Sequence, residues 1–357
     1  MTSRVARSGK TLLRLVFDWR IWLGIALPVA LIAYTVHDVD LREVGSHIGD
    51  ANVWLVLAMV PAHVLGLWLR ALRWRWLARS LSEKPLPLRP LFRATALGFM
   101  AINVLPFRIG ELARPWLLGR ETEVRGSAAL GTLVLERAID FTAVSIMGGI
   151  VLFVHTKAMP PWVRSGAAIF AVFTLIPVAT IAALRINEAG SLALISNLLR
   201  PLPGAARERV MDLVTEVCRG LAGLRGLYAT AQVVFQTALL WGIVLPAPFL
   251  LGLYAFGIDF APRTLVLATF TTNVFVALAV AAPSAPGFFG VFHFACREAL
   301  HLFGVPRAVA VAYGTLVHIT YWVPVTLIGL VVAVQTGARL AEIVAPGLGK
   351  APSGDHR

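Results

Sequence analysis

Six apolar runs, Trp19–Val36, Val53–Leu69, Ser127–His155, Val163–Leu184, Leu227–Phe256 and Pro306–Val334, divide this chain. Each reaches the length, at least about 17 residues, at which a helix crosses the hydrocarbon of a bilayer. Backbone in lipid must satisfy its own N–H and C=O groups, so a chain with this pattern folds as a bundle of helices. The expected fold class is an all-α, polytopic helical membrane protein. Composition agrees, since 58% of the 357 residues are hydrophobic and only 14% charged, which departs from soluble averages.

The net charge of +13 raises the question of nucleic acid. The arginines, however, gather at the ends of apolar runs and form no aromatic-interleaved patch. They suit topology control and anionic lipid, so membrane lipid is the expected partner and nucleic acid is not. Cys218 and Cys296 supply neither a disulfide framework nor a metal-ligand set. The basic N-terminus, Arg4 to Arg20, precedes an apolar run without a small-residue cleavage pattern, which predicts a retained first span.

Two stretches set helix breakers inside membrane-like sequence. In Asn103-Val-Leu-Pro106-Phe-Arg108-Ile-Gly110-Glu111-Leu-Ala-Arg114, Pro106 removes an amide donor and disfavours helix at Leu105, while Gly110 relaxes the backbone. In Pro283-Ser-Ala-Pro286-Gly287-Phe-Phe-Gly290 the same devices recur between apolar halves running from Thr264 to Ala282 and from Val291 to Phe303. Such breaks are tolerated in a membrane only where they are buried in protein or line a watery cavity. Each is followed by a long span carrying polar groups. Together they predict six spans plus two re-entrant broken helices in an inverted repeat, the sequence signature of a transport site. The first repeat covers residues 70–184, broken near 94–120, and the second covers 227–336, broken near 264–303. Between them, residues 185–226 read as a cytoplasmic amphipathic hairpin. The run Arg70-Ala-Leu-Arg73-Trp74-Arg75-Trp76-Leu-Ala-Arg79, into which the second span continues, reads as an interfacial belt.

On this plan, residues 1–20, 70–126, 185–226 and 337–357 hold 25 of the 32 Lys and Arg, the opposite segments hold 6, and Arg137 lies within a span. That excess predicts both termini in the cytoplasm.

The motifs Asn103-x-x-Pro106-x-Arg108-x-Gly110-Glu111-x-x-Arg114, Glu136-Arg137-x-x-Asp140 and Pro283-x-x-Pro286-Gly287-x-x-Gly290-Val291 resemble the lysylphosphatidylglycerol synthase transmembrane-region family over about residues 15 to 340. The resemblance implies two inverted re-entrant helices and movement of a lipid between the leaflets of a bacterial inner membrane. Family members often carry a second glycine after Pro286-Gly287 and an acid beyond Val291, where this chain has Phe288 and His293. A chain of 357 residues leaves no room for the soluble aminoacyl-transferase domain of the full-length synthases, so synthesis of lysyl-lipid is not expected.

The candidate cargo-binding residues are Asn103, Pro106, Arg108, Gly110, Glu111, Arg114, Glu136, Arg137, Asp140, Pro283, Pro286, Gly287, Gly290, His318 and Tyr321. Glu136 and Asp140 lie one helical turn apart on one face, with Arg137 adjacent. Two roles fit them: a static ion network with Arg108 and Arg114, or an arginine that engages a phosphate head group while its carboxylate partner waits. His318 and Tyr321 share a face of the last span, for helix packing or for cargo and proton contact. Asn273 and its threonine neighbours read as interhelical glue. Phe288, Phe289, Phe292 and Phe294 suit an acyl-chain path or lipid-facing packing.

Enzymatic signatures are missing from the sequence: no Gly-x-Ser-x-Gly, no phosphate loop and no His-Glu-x-x-His. No cofactor or metal is expected. The reading is a non-enzymatic, flippase-like lipid translocase for an anionic or polyprenyl lipid. The alternative is a polytopic enzyme acting on a lipid-linked substrate, with Glu136 or Asp140 as general base. Association into homo-oligomers is left open.

Overall fold

The computed structural model describes residues 19–105, 110–154, 175, 178–224, 226–281 and 285–338. All regular structure among them is helical. In order come α1 (Trp19–Val36), α2 (Leu41–Asp50), α3 (Val53–Leu77), α4 (Leu88–Val104), α5 (Ala113–Glu121), α6 (Gly126–Val154), α7 (Glu188–Leu198), α8 (Gly204–Ala222), α9 (Leu227–Leu239), α10 (Ala247–Ala255), α11 (Pro262–Ala281), α12 (Val291–His301) and α13 (Arg307–Thr336). Residues 178–186 are also helical.

Five helical stretches are long and apolar enough to cross a membrane: Val53–Leu77, Gly126–Val154, Leu227–Ala255, Pro262–Ala281 and Arg307–Thr336. With the apolar 18-residue α1, the protein has about six spans. The expected span Val163–Leu184 lies for the most part outside the described residues. One of the five departs from expectation. The sequence places 264–282 as half of a broken element, yet α11, with 20 residues, is about 30 Å long and sufficient to cross alone.

Local chemistry sets the ends and bends. Asn52 caps α3 by accepting from the amides of Trp54 and Leu55, and its own amide donates to the Ala255 carbonyl at the end of α10, 2.8 Å away. At the other end of the chain α13 closes on Gly337, whose φ of 61° is left-handed, with the Ala338 amide returning to Ala333 O as in a Schellman turn. Between α9 and α10 the chain winds one π turn, Leu240–Val244. Pro246 and Pro248 follow it, and the α-helical ladder is interrupted where Pro246 withholds an amide.

Both interrupted stretches fold back as helical hairpins. A β-carbon on Gly110 would collide with the backbone of Ala101 and Ile102, and one on Gly98 with the Arg114 side chain. The α4 and α5 segments therefore run antiparallel in near backbone contact, closer than any larger residue allows. At the second break Phe260, just before α11, packs its ring on Phe303, just after α12, so these two helices also return on each other. α13 lies against α4 where Gly329 meets Met100 and Ala96. The stretch 185–226 contains α7 and α8, joined across the turn by Arg207 donating to Ser196 Oγ at 2.6 Å. It docks on α6 where Gly131 meets the backbone of Glu216.

Candidate functional site

Glu136 and Asp140 are buried on α6. Arg114, on α5, forks onto Glu136 with two parallel bonds, Nη1 to Oε1 at 3.0 Å and Nη2 to Oε2 at 2.9 Å, the geometry in which guanidinium and carboxylate pair most strongly. Its guanidinium also lies over the Trp74 ring, 4.5 Å from the centroid. Arg73, on α3, reaches Asp140 Oδ1 at 2.7 Å and stands 3.6 Å from Glu136 Oε1. Arg137 bridges both acids, at 2.7 Å and 3.2 Å. Neutral donors complete the site: Trp241, in the π turn, donates to Asp140 at 2.9 Å, and Trp74 donates to Thr132 Oγ at 2.8 Å. Arg73 further donates to Thr237 Oγ at 3.2 Å. One cluster thus ties α3, α5, α6, α9 and the π turn together.

Arg73 and Trp74 correct the interfacial reading, since both are fully buried. The helix does not end with the apolar run at Leu69 but continues to Leu77. Gly66, Arg70, Arg73, Trp74 and Leu77 recur at three- and four-residue spacing and so share its inner face. Of the expected network, Arg114 takes its place on Glu136, while Arg108, like Pro106 and Pro283, lies outside the described residues.

The two break points touch. Asn103, at the end of α4, donates from Nδ2 to Thr326 Oγ at 3.0 Å, and its carbonyl accepts from Trp322 Nε1 at 3.4 Å. That same carbonyl and that same indole abut Gly287, where a β-carbon would collide. Gly287 has φ 64° and Gly290 φ 82°, conformations that glycine adopts without strain. Phe288 is left-handed as well, φ 63°, a conformation that costs a bulky residue strain. Pro286 opens the short 3₁₀ turn Pro286–Phe288. His318, midway along α13, pairs through Nε2 with the Gly287 carbonyl at 2.7 Å. Because a carbonyl only accepts, Nε2 carries the proton. Phe292 stacks on the ring of His318 at 4.6 Å and Phe289 meets it edge-on at 4.8 Å. His318 is therefore a pin between the second break and the last span.

Between these features lies a cavity of about 370 Å³, within the size range of small-ligand sites. Arg70, Glu111, Arg137, Asp140, His63 and Tyr321 contribute its polar lining, and Val144, Val276, Val280, Phe288 and Phe292 its apolar lining. Tyr321 stands 14 residues from the start of α13 and 15 from its end, about 21 Å from either, so the cavity lies at mid-span. Asn273 also lines it, which corrects the glue reading. Its Nδ2 is buried without a hydrogen-bond partner, and Thr269 and Thr272 bond carbonyls of their own helix. Phe289 and Phe294 do not line the cavity, and Phe294 packs instead on Tyr34. No cluster of metal-ligating side chains occurs among the described residues.

Sequence reasoning missed a second buried arginine. Arg297, on α12, donates to the carbonyls of Tyr34 and Thr35 at 2.6 and 2.7 Å and pairs with Asp38 at 3.0 Å. Arg307 joins the same carboxylate. Arg297 satisfies carbonyls in the last turn of α1, where the helix dipole favours positive charge. The readable signal was an acid, Asp38, just past an apolar helix.

Fold and site define a multi-pass helical membrane protein with an ionised cluster and an amphipathic cavity at mid-span. The chain belongs to the Lysylphosphatidylglycerol synthase TM region family, whose model matches residues 21–329. It is similar to the glycosyltransferase AglD of Haloferax volcanii, 28% identical over 131 residues, which is 36% of this chain and 20% of that protein. The chain thus spans about a fifth of that relative's length. No solved structure matches it.

Proposed function

We propose that this protein is a flippase-like translocase that carries the head group of an anionic or polyprenyl lipid between the leaflets of a bacterial inner membrane, without catalysing a reaction. The observation that carries the reading is the mid-span cavity, lined by the arginines Arg70 and Arg137, the carboxylates Glu111 and Asp140 and an apolar wall, at the place where two broken helices meet. A head group crossing the bilayer must exchange water for fixed charges and dipoles, while its chains can stay in hydrocarbon. The family name, which speaks of a phospholipid synthase, supports a phospholipid as cargo. On this reading the hairpins α4–α5 and α11–α12 are re-entrant halves of an inverted repeat, and both termini face the cytoplasm.

The test is reconstitution in liposomes with head-group-labelled phosphatidylglycerol. Wild-type protein is expected to raise translocation at least tenfold above empty liposomes. Arg137→Gln is expected to abolish the increase, and Arg209→Gln, at an exposed position on α8, to leave it unchanged. Absence of translocation across anionic and polyprenyl lipids, with and without a proton gradient, would refute the translocase and favour an enzyme acting on a lipid-linked substrate.

A further inference from the structure

We infer that the cavity seats a single phosphate anion of a lipid head group between Arg70 and Asn273, and that the Arg114–Glu136 pair is its frame and not its ligand. The inference rests on the translocase reading and specifies the chemistry of its cargo site. Arg114 commits both terminal nitrogens to Glu136 and its face to Trp74, leaving only its buried Nε without a partner. Arg70 is not. It lines the cavity, donates from Nη1 to the Gly66 carbonyl at 3.3 Å and lies over the Phe99 ring at 5.1 Å, but makes no ion pair among the described residues. Asn273 offers the second donor, its buried Nδ2 having no acceptor.

Charge counting points the same way. Among the described residues, four cations, Arg70, Arg73, Arg114 and Arg137, and three carboxylates, Glu111, Glu136 and Asp140, stand around the cavity and its cluster, leaving one positive charge in excess, 4 − 3. The undescribed residues 106–109 add only Arg108, and 282–284 add no acid, so those segments cannot neutralise it. An uncompensated charge in a low-dielectric interior is costly, and a bound phosphate anion offsets it. A guanidinium and a carboxamide N–H match phosphate oxygens. The apolar lining at Val276, Val280 and Phe288 selects a lipid over a free anion.

The experiment measures binding, not transport, so the two readings fail separately. Purified protein in detergent is titrated with phosphatidylglycerol, phosphatidylcholine and inorganic phosphate, with bound species counted by native mass spectrometry. Wild type is expected to retain phosphatidylglycerol at least tenfold better than the other two. Arg70→Gln is expected to lose that preference, Arg70→Lys to keep part of it, and Asn273→Leu to weaken it severalfold. Phosphatidylglycerol binding unchanged in Arg70→Gln overturns the seat; if that variant does not fold, unchanged binding in Asn273→Leu overturns it. Equal retention of phosphatidylcholine overturns the requirement for net charge, and equal retention of inorganic phosphate overturns the lipid. Selective binding with no translocation in liposomes leaves the seat standing and removes the translocase.

Discussion

Glu136 receives Arg114 and Arg137 directly and has Arg73 beside it, and its exposure is nil. Deleting one member of such a set leaves charge buried without a counterpart, at a cost of about 3–5 kcal/mol. Removing both members of the forked pair leaves neutral groups that can bond each other, so the double change Glu136→Gln, Arg114→Gln is expected to cost less than the sum of the singles. Coupling of about 0.5–3 kcal/mol is the expected size, read from melting curves of the four proteins in detergent. Additive effects would mean that the fork does not carry the cluster. The carboxylates were legible at this scale because charges in mid-span must pair. Arg70 and Arg73 were not, because a hydropathy window ends a span at its first cluster of charge, while the buried face of α3 runs on through it. The helical spacing of Gly66, Arg70, Trp74 and Leu77 was the available clue. Asn273 and Trp241 become site residues only through tertiary packing, which no local pattern encodes.

Elements are positioned here by glycines that let backbones meet. Gly110 abuts Ala101 and Ile102, and the neighbouring atoms are backbone that cannot swing aside. Gly110→Ala must therefore spread the α4–α5 hairpin, and with it Arg114 from Glu136. The expected loss is about 1–3 kcal/mol, seen as a lower melting temperature. Gly45, on exposed α2 with open space where a methyl group would go, is the opposite case: Gly45→Ala is expected to gain about 0.5–1 kcal/mol from helix propensity. Equal effects at the two positions would contradict the close approach. The breaks themselves were legible from Pro and Gly. That the two tips touch, Gly287 on the Asn103 carbonyl, was not, because it joins residues far apart in sequence. Nor was the length of α11, whose apolar pattern fits half of a broken helix or a whole span equally well.

For the whole molecule, the proposed orientation rests on loop charge. Arg70 lines the mid-span cavity, Arg73 and Arg114 are buried, and Arg297, from the opposite group of segments, is buried too. Taking these off the tally changes 25 against 6 into 25 − 3 = 22 against 6 − 1 = 5, so the bias keeps its sign. In a background with Cys218 and Cys296 replaced by alanine, Gly45→Cys is expected to react with an impermeant thiol reagent applied to intact cells, and Ala205→Cys only after the membrane is opened. Labelling of position 205 in intact cells would reverse or break this topology. The central claim is that lipid passes through the mid-span cavity, and Ala277, which lines it, allows it to be plugged without touching a charge. Ala277→Trp fills a large part of the space with an apolar ring. Translocation of phosphatidylglycerol in liposomes should fall to the level of empty vesicles in that variant, with melting temperature and oligomeric profile unchanged. Wild-type rates in correctly folded Ala277→Trp would show that the lipid takes another path.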